Sequence, residues 1–138
     1  MELVFDIPAP PPTANLIWRA ARGRNYLSAR AASYYKLVAL TTNGKRVPDD
    51  WTSVDVEIIV QLTRKSGDVD NRIKPVLDAL TRAGVWTDDS IVGRVSCELS
   101  QTGKGRTRVV IRRRENKFRE IEEWRELKQK KRSRRSRG

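Results

Sequence analysis

Between Val54 and Leu62 apolar and polar residues take turns. Val54, Val56, Ile58, Val60 and Leu62 alternate with Asp55, Glu57 and Gln61. Successive side chains of a strand point to opposite faces, so this pattern predicts a strand with one buried face. The period then changes. Ile73, Val76, Leu77 and Leu80 fall at i, i+3, i+4 and i+7, one face of a helix. Asp70 or Asn71 is placed to cap that helix and Gly84 to end it in a left-handed turn. Pro75 lacks an N–H and crowds the preceding turn, so the regular helix is expected to begin late or with a distorted first turn.

The same reading extends to both sides. Leu3 to Ile7 is a short strand stopped by Pro8, and Pro10-Pro11-Pro12 sets an extended exit path. Ser28 can cap a helix from Ala29 to about Leu40, with Ala32, Tyr35 and Ala39 on one side. Asn43-Gly44 is a turn, and Pro48-Asp49-Asp50 continues the loop. Ile91 to Leu99 and Thr107 to Arg113 read as strands joined by the turn Gln101 to Gly105, a hairpin. On the second of them Val109 and Ile111 face one way, Arg108 and Arg112 the other. The fold class is therefore α+β: a small mixed β-sheet of four or five strands with two packed helices and a C-terminal helical and basic extension.

Composition sharpens the boundary of that extension. The chain has 138 residues, room for one modest core, and a net charge of +12. Through Gly103 there are 13 Lys or Arg against 12 Asp or Glu, and from Lys104 onward 16 against 5. The basicity belongs to the last strand and the tail, which points to a polyanionic partner. A body at residues 1–114 and a charged extension at 115–138 follow. Within the extension Phe118, Ile121, Trp124 and Leu127 recur at steps of three, a broad stripe on a helix, and Glu115 with Arg119 and Glu126 with Lys130 have ion-pair spacing. Lys128 to Gly138 is a basic, low-complexity run expected to be disordered alone, read either as a solvated tail or as a nucleic-acid anchor.

The absence of histidine removes Ser-His-Asp and Cys-His catalysis and ordinary zinc sites. The lone Cys97 leaves no internal disulfide. No secretory pattern or membrane-length apolar run is visible, so a cytoplasmic or nucleoid location is expected.

The chemistry concentrates around the central helix. Asp68 and Asp70 stand before it, and Asp88 and Asp89 follow it after Val85 and Trp86. A helix followed by a tight return is expected to bring the second pair beside the first. Converging carboxylates call for a hard divalent cation, Mg²⁺ or Mn²⁺. Lys74, one turn beyond Asp70, lies on the same side of the helix, a placement suited to an anionic substrate such as a phosphodiester. Asp-x-Asp-Asn is also a common capped turn, and Asp88-Asp89-Ser90 a common loop. The spacing is not that of a calcium loop. Asp78 reads as a surface ion-pair partner of Lys74. Arg19, Arg22 and Arg24 around Trp18, with Arg64, Lys65 and Arg72, are candidate DNA contacts.

Asp68-x-Asp70-Asn71-x-x-Lys74, Leu77-Asp78-Ala79-Leu80, Ala83-Gly84 and Asp88-Asp89 together resemble the signature of the RusA family of Holliday junction resolvases. The likeness runs from about residue 3 to residue 112, through the Pro-rich turn, Arg22-Gly23-Arg24 and the segment from Tyr26 to Tyr35. It implies that Asp68, Asp70 and Asp89 bind a catalytic Mg²⁺, for which Mn²⁺ substitutes, and that Lys74 assists. It also implies a homodimer that resolves four-way DNA junctions by paired symmetric nicks, with a phage or prophage source plausible. A non-catalytic DNA-binding module, or a broader flap and fork nuclease, are the alternative readings. The long basic extension departs from the family pattern.

Overall fold

A computed structural model of the protein describes residues 1–21, 24–64, 67–101, 103–115 and 117–136. In chain order the elements are β1 (Glu2–Ile7), β2 (Trp18–Ala21), β3 (Arg24–Leu27), α1 (Ala29–Thr42), β4 (Val54–Leu62), α2 (Asp70–Arg82), β5 (Val92–Gln101), β6 (Arg106–Arg113) and α3 (Lys117–Ser136). Single 3₁₀ turns lie at Ala14–Leu16 and Asp89–Ile91. Among the described residues, β1, β6, β4 and β5 form a mixed sheet in that order, and β2 pairs with β3 in a separate hairpin. This is the α+β arrangement the patterning predicts, with a hairpin in the stretch read from sequence as an arginine-rich loop.

The alternation of β4 is realised residue by residue, its even-numbered side chains buried and its odd-numbered ones half-exposed. The buried face continues on β1 through Phe5 and Ile7 and on β6 through Thr107, Val109 and Ile111. Helices α1 and α2 cover it with Ala31, Tyr34, Tyr35 and Val38, and with Val76, Ala79 and Leu80. The far face is held by cross-strand charge, Arg108 with Asp6 at 2.8 Å and Arg112 with Glu2 at 2.7 Å and Glu57 at 3.1 Å. These pairs are exposed and contribute register more than stability.

Several sequence expectations are corrected. The Ser28 cap is present, its hydroxyl accepting from the Ala31 amide at 3.2 Å, but the buried stripe of α1 is Ala31, Tyr34, Tyr35, Val38 and Thr42. Ala32 and Ala39 are exposed. Small alanines satisfy either face, and the two tyrosines decide. On α2 neither Asp70 nor Asn71 caps. The helix starts at Asp70 behind Val69, which is itself helical, and the Arg72 amide bonds the Val69 carbonyl, a tightened first turn ahead of Pro75. Gly84 does end the helix, at φ 80°, with the Val85 amide returning to the Leu80 carbonyl.

The largest correction concerns β5 and β6, which do not form a hairpin. Each pairs with β4, β5 parallel to it and β6 antiparallel, so the link from Gln101 to Arg106 steps over the end of β4. β6 thereby extends the buried face of β4, whereas β5 is a largely exposed edge strand. The segment from Lys128 onward, expected to be disordered alone, continues α3 to Ser136. Among the described residues no helix is long and apolar enough to cross a membrane.

Candidate active site

The β4–α2–β5 unit fixes where the acidic residues stand. β4 ends at Leu62, and the chain passes through Gly67, whose φ of 74° favours glycine, to Asp68 and Asp70 at the N-terminus of α2. α2 then runs back along β4 for 13 residues, about 20 Å at 1.5 Å per residue. β5 starts beside the opposite end of β4, with Val92 opposite Val54. Asp88 and Asp89 immediately precede it. The two acidic pairs consequently occupy opposite ends of one sheet, and the expectation that they meet within the chain is overturned. A parallel strand must begin where its predecessor began, so the helix between the two carries the chain the full length of the unit. Among the described residues no three acidic or cysteine side chains gather in a group able to hold a metal ion.

Each end is nevertheless built with care. At the first, Asp68 just before α2 and Asp70 and Lys74 on it are exposed, with Lys74 one turn from Asp70. Asp78 does not pair with Lys74. It lies toward Tyr35, where burial first and the Asp78 charge second raise the phenol's pKa, and Arg82 stacks 4.8 Å from the centre of that ring. Arg72, a candidate DNA contact from sequence, is 7% exposed and turned inward. Its guanidinium donates to the carbonyl of Pro11, and burial lowers its pKa. It holds the proline run against α2. That run has a second tie: the Tyr34 hydroxyl donates to Thr107 Oγ1 at 3.1 Å, and Thr107 donates to the Ala9 carbonyl at 2.8 Å. Burial pushes the Tyr34 phenol far above its usual range, so it remains a neutral donor. A cleft lies between the prolines, α1 and the end of β4, and Arg30, Arg64 and Arg72 bring their charge to it.

At the second end Trp86 is the anchor. It is 2% exposed and its indole donates to Thr81 Oγ1 at 2.7 Å, while Thr81 donates to the Leu77 carbonyl at 3.0 Å. The Val47 amide bonds the Val85 carbonyl and ties in the loop after α1. From this base Asp88 accepts from the Ser90 amide at 3.0 Å. That bond, with the adjoining Asp89 side chain, holds the Asp88 carboxyl below its ordinary pKa. Asp88 is thus engaged as a cap, and Asp89 is the exposed carboxylate the loop presents. Arg46, Asp49 and Asp88 line a shallow groove here, so Asp49, read from sequence as a loop residue, adds an acid to this end.

Of the remaining candidate contacts, Arg64 is exposed just after β4. Arg22 and Lys65 lie outside the described residues, as do the side chains of Arg19 and Arg24, whose backbones belong to β2 and β3. Sequence reasoning had no signal for the structural duty of Arg72. The Trp86–Thr81 pair could have been found, since i and i+5 across a helix-ending glycine face each other.

Comparison with known proteins agrees with this architecture. The family model for endodeoxyribonuclease RusA matches residues 8–112. The chain is 36% identical over 85 residues to a crossover junction endodeoxyribonuclease of Enterobacteria phage 82, covering 59% of this chain and 70% of that protein. It is 35% identical over 85 residues to the RusA protein of Escherichia coli K12, with the same coverage, and 34% identical to that of Shigella sonnei.

Proposed function

Because the chain belongs to the RusA endodeoxyribonuclease family, we propose that it hydrolyses phosphodiester bonds in four-way DNA junctions, using Asp68, Asp70, Asp89 and Lys74. The observation that carries the reading is the arrangement of these groups, all exposed, at the two ends of one rigid β–α–β unit. Carboxylates suit Mg²⁺, or Mn²⁺ in its place, but one chain does not assemble the set. Two copies related by a two-fold axis do so twice, with the Asp68, Asp70 and Lys74 end of each facing the Asp89 end of the other. The reading therefore calls for a homodimer, whose two centres would match the two nicks that resolve a symmetric junction.

In that assembly Asp68, Asp70 and Asp89 would hold the cation, which would supply a water of lowered pKa and offset charge on the scissile phosphate. The protein's own groups do the rest. Asp68 and Asp70, at the head of α2, are held in place by the Arg72–Pro11 bond behind them. Lys74 brings an ammonium to the phosphate oxygens, where negative charge grows in the transition state. Asp89 arrives on a loop fixed by Trp86. Arg19, Arg22, Arg24, Arg64 and Lys65 are the proposed backbone contacts, positioning the junction without reading its sequence.

The test is cleavage of an end-labelled four-way junction and of a linear duplex of the same sequence, with and without Mg²⁺. Paired cuts in the junction alone, dependent on Mg²⁺, are expected. Cutting of neither substrate would make the protein a binding module, and equal cutting of flaps and forks would make it a broader nuclease.

A further inference from the structure

α3 lies beyond the family match, which ends at residue 112, and runs from Lys117 to Ser136. Its 20 residues span about 30 Å. Every described side chain from Glu123 to Arg134 is exposed, so this part of the helix packs no core. Its charge is divided. The first half carries Glu120, Glu122, Glu123 and Glu126, whereas from Lys128 to Ser136 six of the nine residues are Lys or Arg and none is acidic. Like charges at this density oppose the helix unless a polyanion neutralises them.

The cations are ordered, not scattered. Trp124, Lys128, Lys131 and Arg132 recur at helical spacing and, with Leu127, line one shallow groove. Lys128 Nζ sits 3.9 Å from the centre of the Trp124 ring, so this cation is held on an aromatic face and not paired with an acid. Glu126 and Lys130 form no ion pair, although their spacing allows one. The strand end that precedes the helix is fixed. The Arg114 amide bonds the Ser53 carbonyl at 2.9 Å and its guanidinium bonds Asp55 at 2.8 Å, both at the end of the sheet where Asp89 stands. The Arg114 side chain crosses over Gly93, where an added Cβ would meet its Cδ at 2.6 Å and Ser53 Oγ at 2.7 Å, so a larger residue there would push this anchor aside.

We propose that the Trp124–Arg132 face of α3 is a second DNA-binding site, one that grips the phosphate backbone of a duplex arm leading away from the cut. The inference rests on the nuclease reading above and adds to it. A basic, aromatic-floored stripe without acids fits a linear polyanion, and the chain leaves the sheet for α3 at the same end as Asp89.

The experiment is a salt titration of binding, with the full chain, to two junctions of identical core that carry short or long arms. The variants are the triple substitution Lys128→Gln, Lys131→Gln, Arg132→Gln and its charge-preserving counterpart Lys128→Arg, Lys131→Arg, Arg132→Lys. Loss of three phosphate contacts reduces the slope of log affinity against log salt by about 2.7 and lowers affinity at physiological salt at least about tenfold. Both effects are expected on the long-armed junction and not on the short-armed one, and the charge-preserving variant should behave as the unaltered chain. Equal affinity and slope for all three proteins on both junctions would overturn the proposal and leave the face as a solvated surface. A fall in sedimenting mass caused by the glutamine variant would overturn it differently, assigning the basic half of α3 to the acidic half of another copy. Cleavage of the junction by the unaltered protein is scored separately, so failure of the nuclease reading and failure of this one are distinguishable.

Discussion

A centre shared between two copies makes a prediction that no centre within one chain can satisfy. Take Asp70→Asn and Asp89→Asn, each expected to abolish cleavage alone. Their carboxylates stand at opposite ends of α2, about 20 Å apart by its rise, whereas ligands of one Mg²⁺ lie about 2 Å from it. A two-fold dimer of the two variants pairs both altered ends in one centre and leaves the other centre intact. Random assembly makes half the dimers mixed, so an equal mixture regains about one quarter of the wild-type centres. Those centres stand one to a dimer, so the mixture should nick junctions on one strand and resolve few. The assay is denaturing electrophoresis of a labelled junction, with mixed dimers verified by differential tags. Asp68→Asn mixed with Asp70→Asn is the control, because both lie at the same end, and should stay dead. An inactive Asp70→Asn and Asp89→Asn mixture, with mixed dimers present, would refute the shared centre.

Further outcomes follow from individual contacts. Lys74→Ala should slow single-turnover cleavage by about 100-fold while junction affinity holds, and Lys74→Arg should rescue poorly because a planar fork does not replace a compact ammonium. Activity lost only in proportion to binding would make Lys74 an anchor. Arg72→Leu removes a buried charged donor and leaves the Pro11 carbonyl wanting, so urea unfolding should show a loss of about 1–3 kcal/mol; undiminished stability with weakened DNA binding would return Arg72 to the DNA contacts. Thr107→Val takes the partner from both the Tyr34 hydroxyl and the Ala9 carbonyl and should cost about 1–3 kcal/mol, whereas Tyr34→Phe, which leaves the Thr107–Ala9 bond intact, should cost about 1 kcal/mol. Equal costs would show that the two bonds are not a relay.

The parts of the fold that were legible were those in which a single face decides. β4 is buried on one side by large β-branched residues, and a one-residue slip would expose all of them, so its pattern is unambiguous. The stripe of α2 is met in part: Val76 and Leu80 are buried, Ile73 and Leu77 only partly, and Arg72, Pro75 and Ala79 complete the buried face. α1 misled because Ala32 and Ala39 carry little apolar area, and the tyrosines at 34 and 35 tolerate burial on either side of the helix. Its true face is set by the partner Tyr34 finds on β6, 73 residues away, and no local periodicity records that. For α3 the apolar stripe marked the helix, but the basic run after Lys128 gave no sign that it continues to Ser136.

Strand order was the harder matter, and the site depends on it. A short Gly-containing turn between two strands reads as a hairpin because most such turns are. Here β4 enters between the two, and Thr107, Val109 and Ile111 match its buried residues as well as any β5 partner could. With the hairpin removed, β5 must lie parallel to β4, and α2 becomes a crossover helix. That one change places Asp89 at the far end of the unit from Asp70. The candidate acidic residues and Lys74 stood out in the chain, and their separation did not. Under the proposed function, topology decides whether such groups can act together in one molecule or only across two.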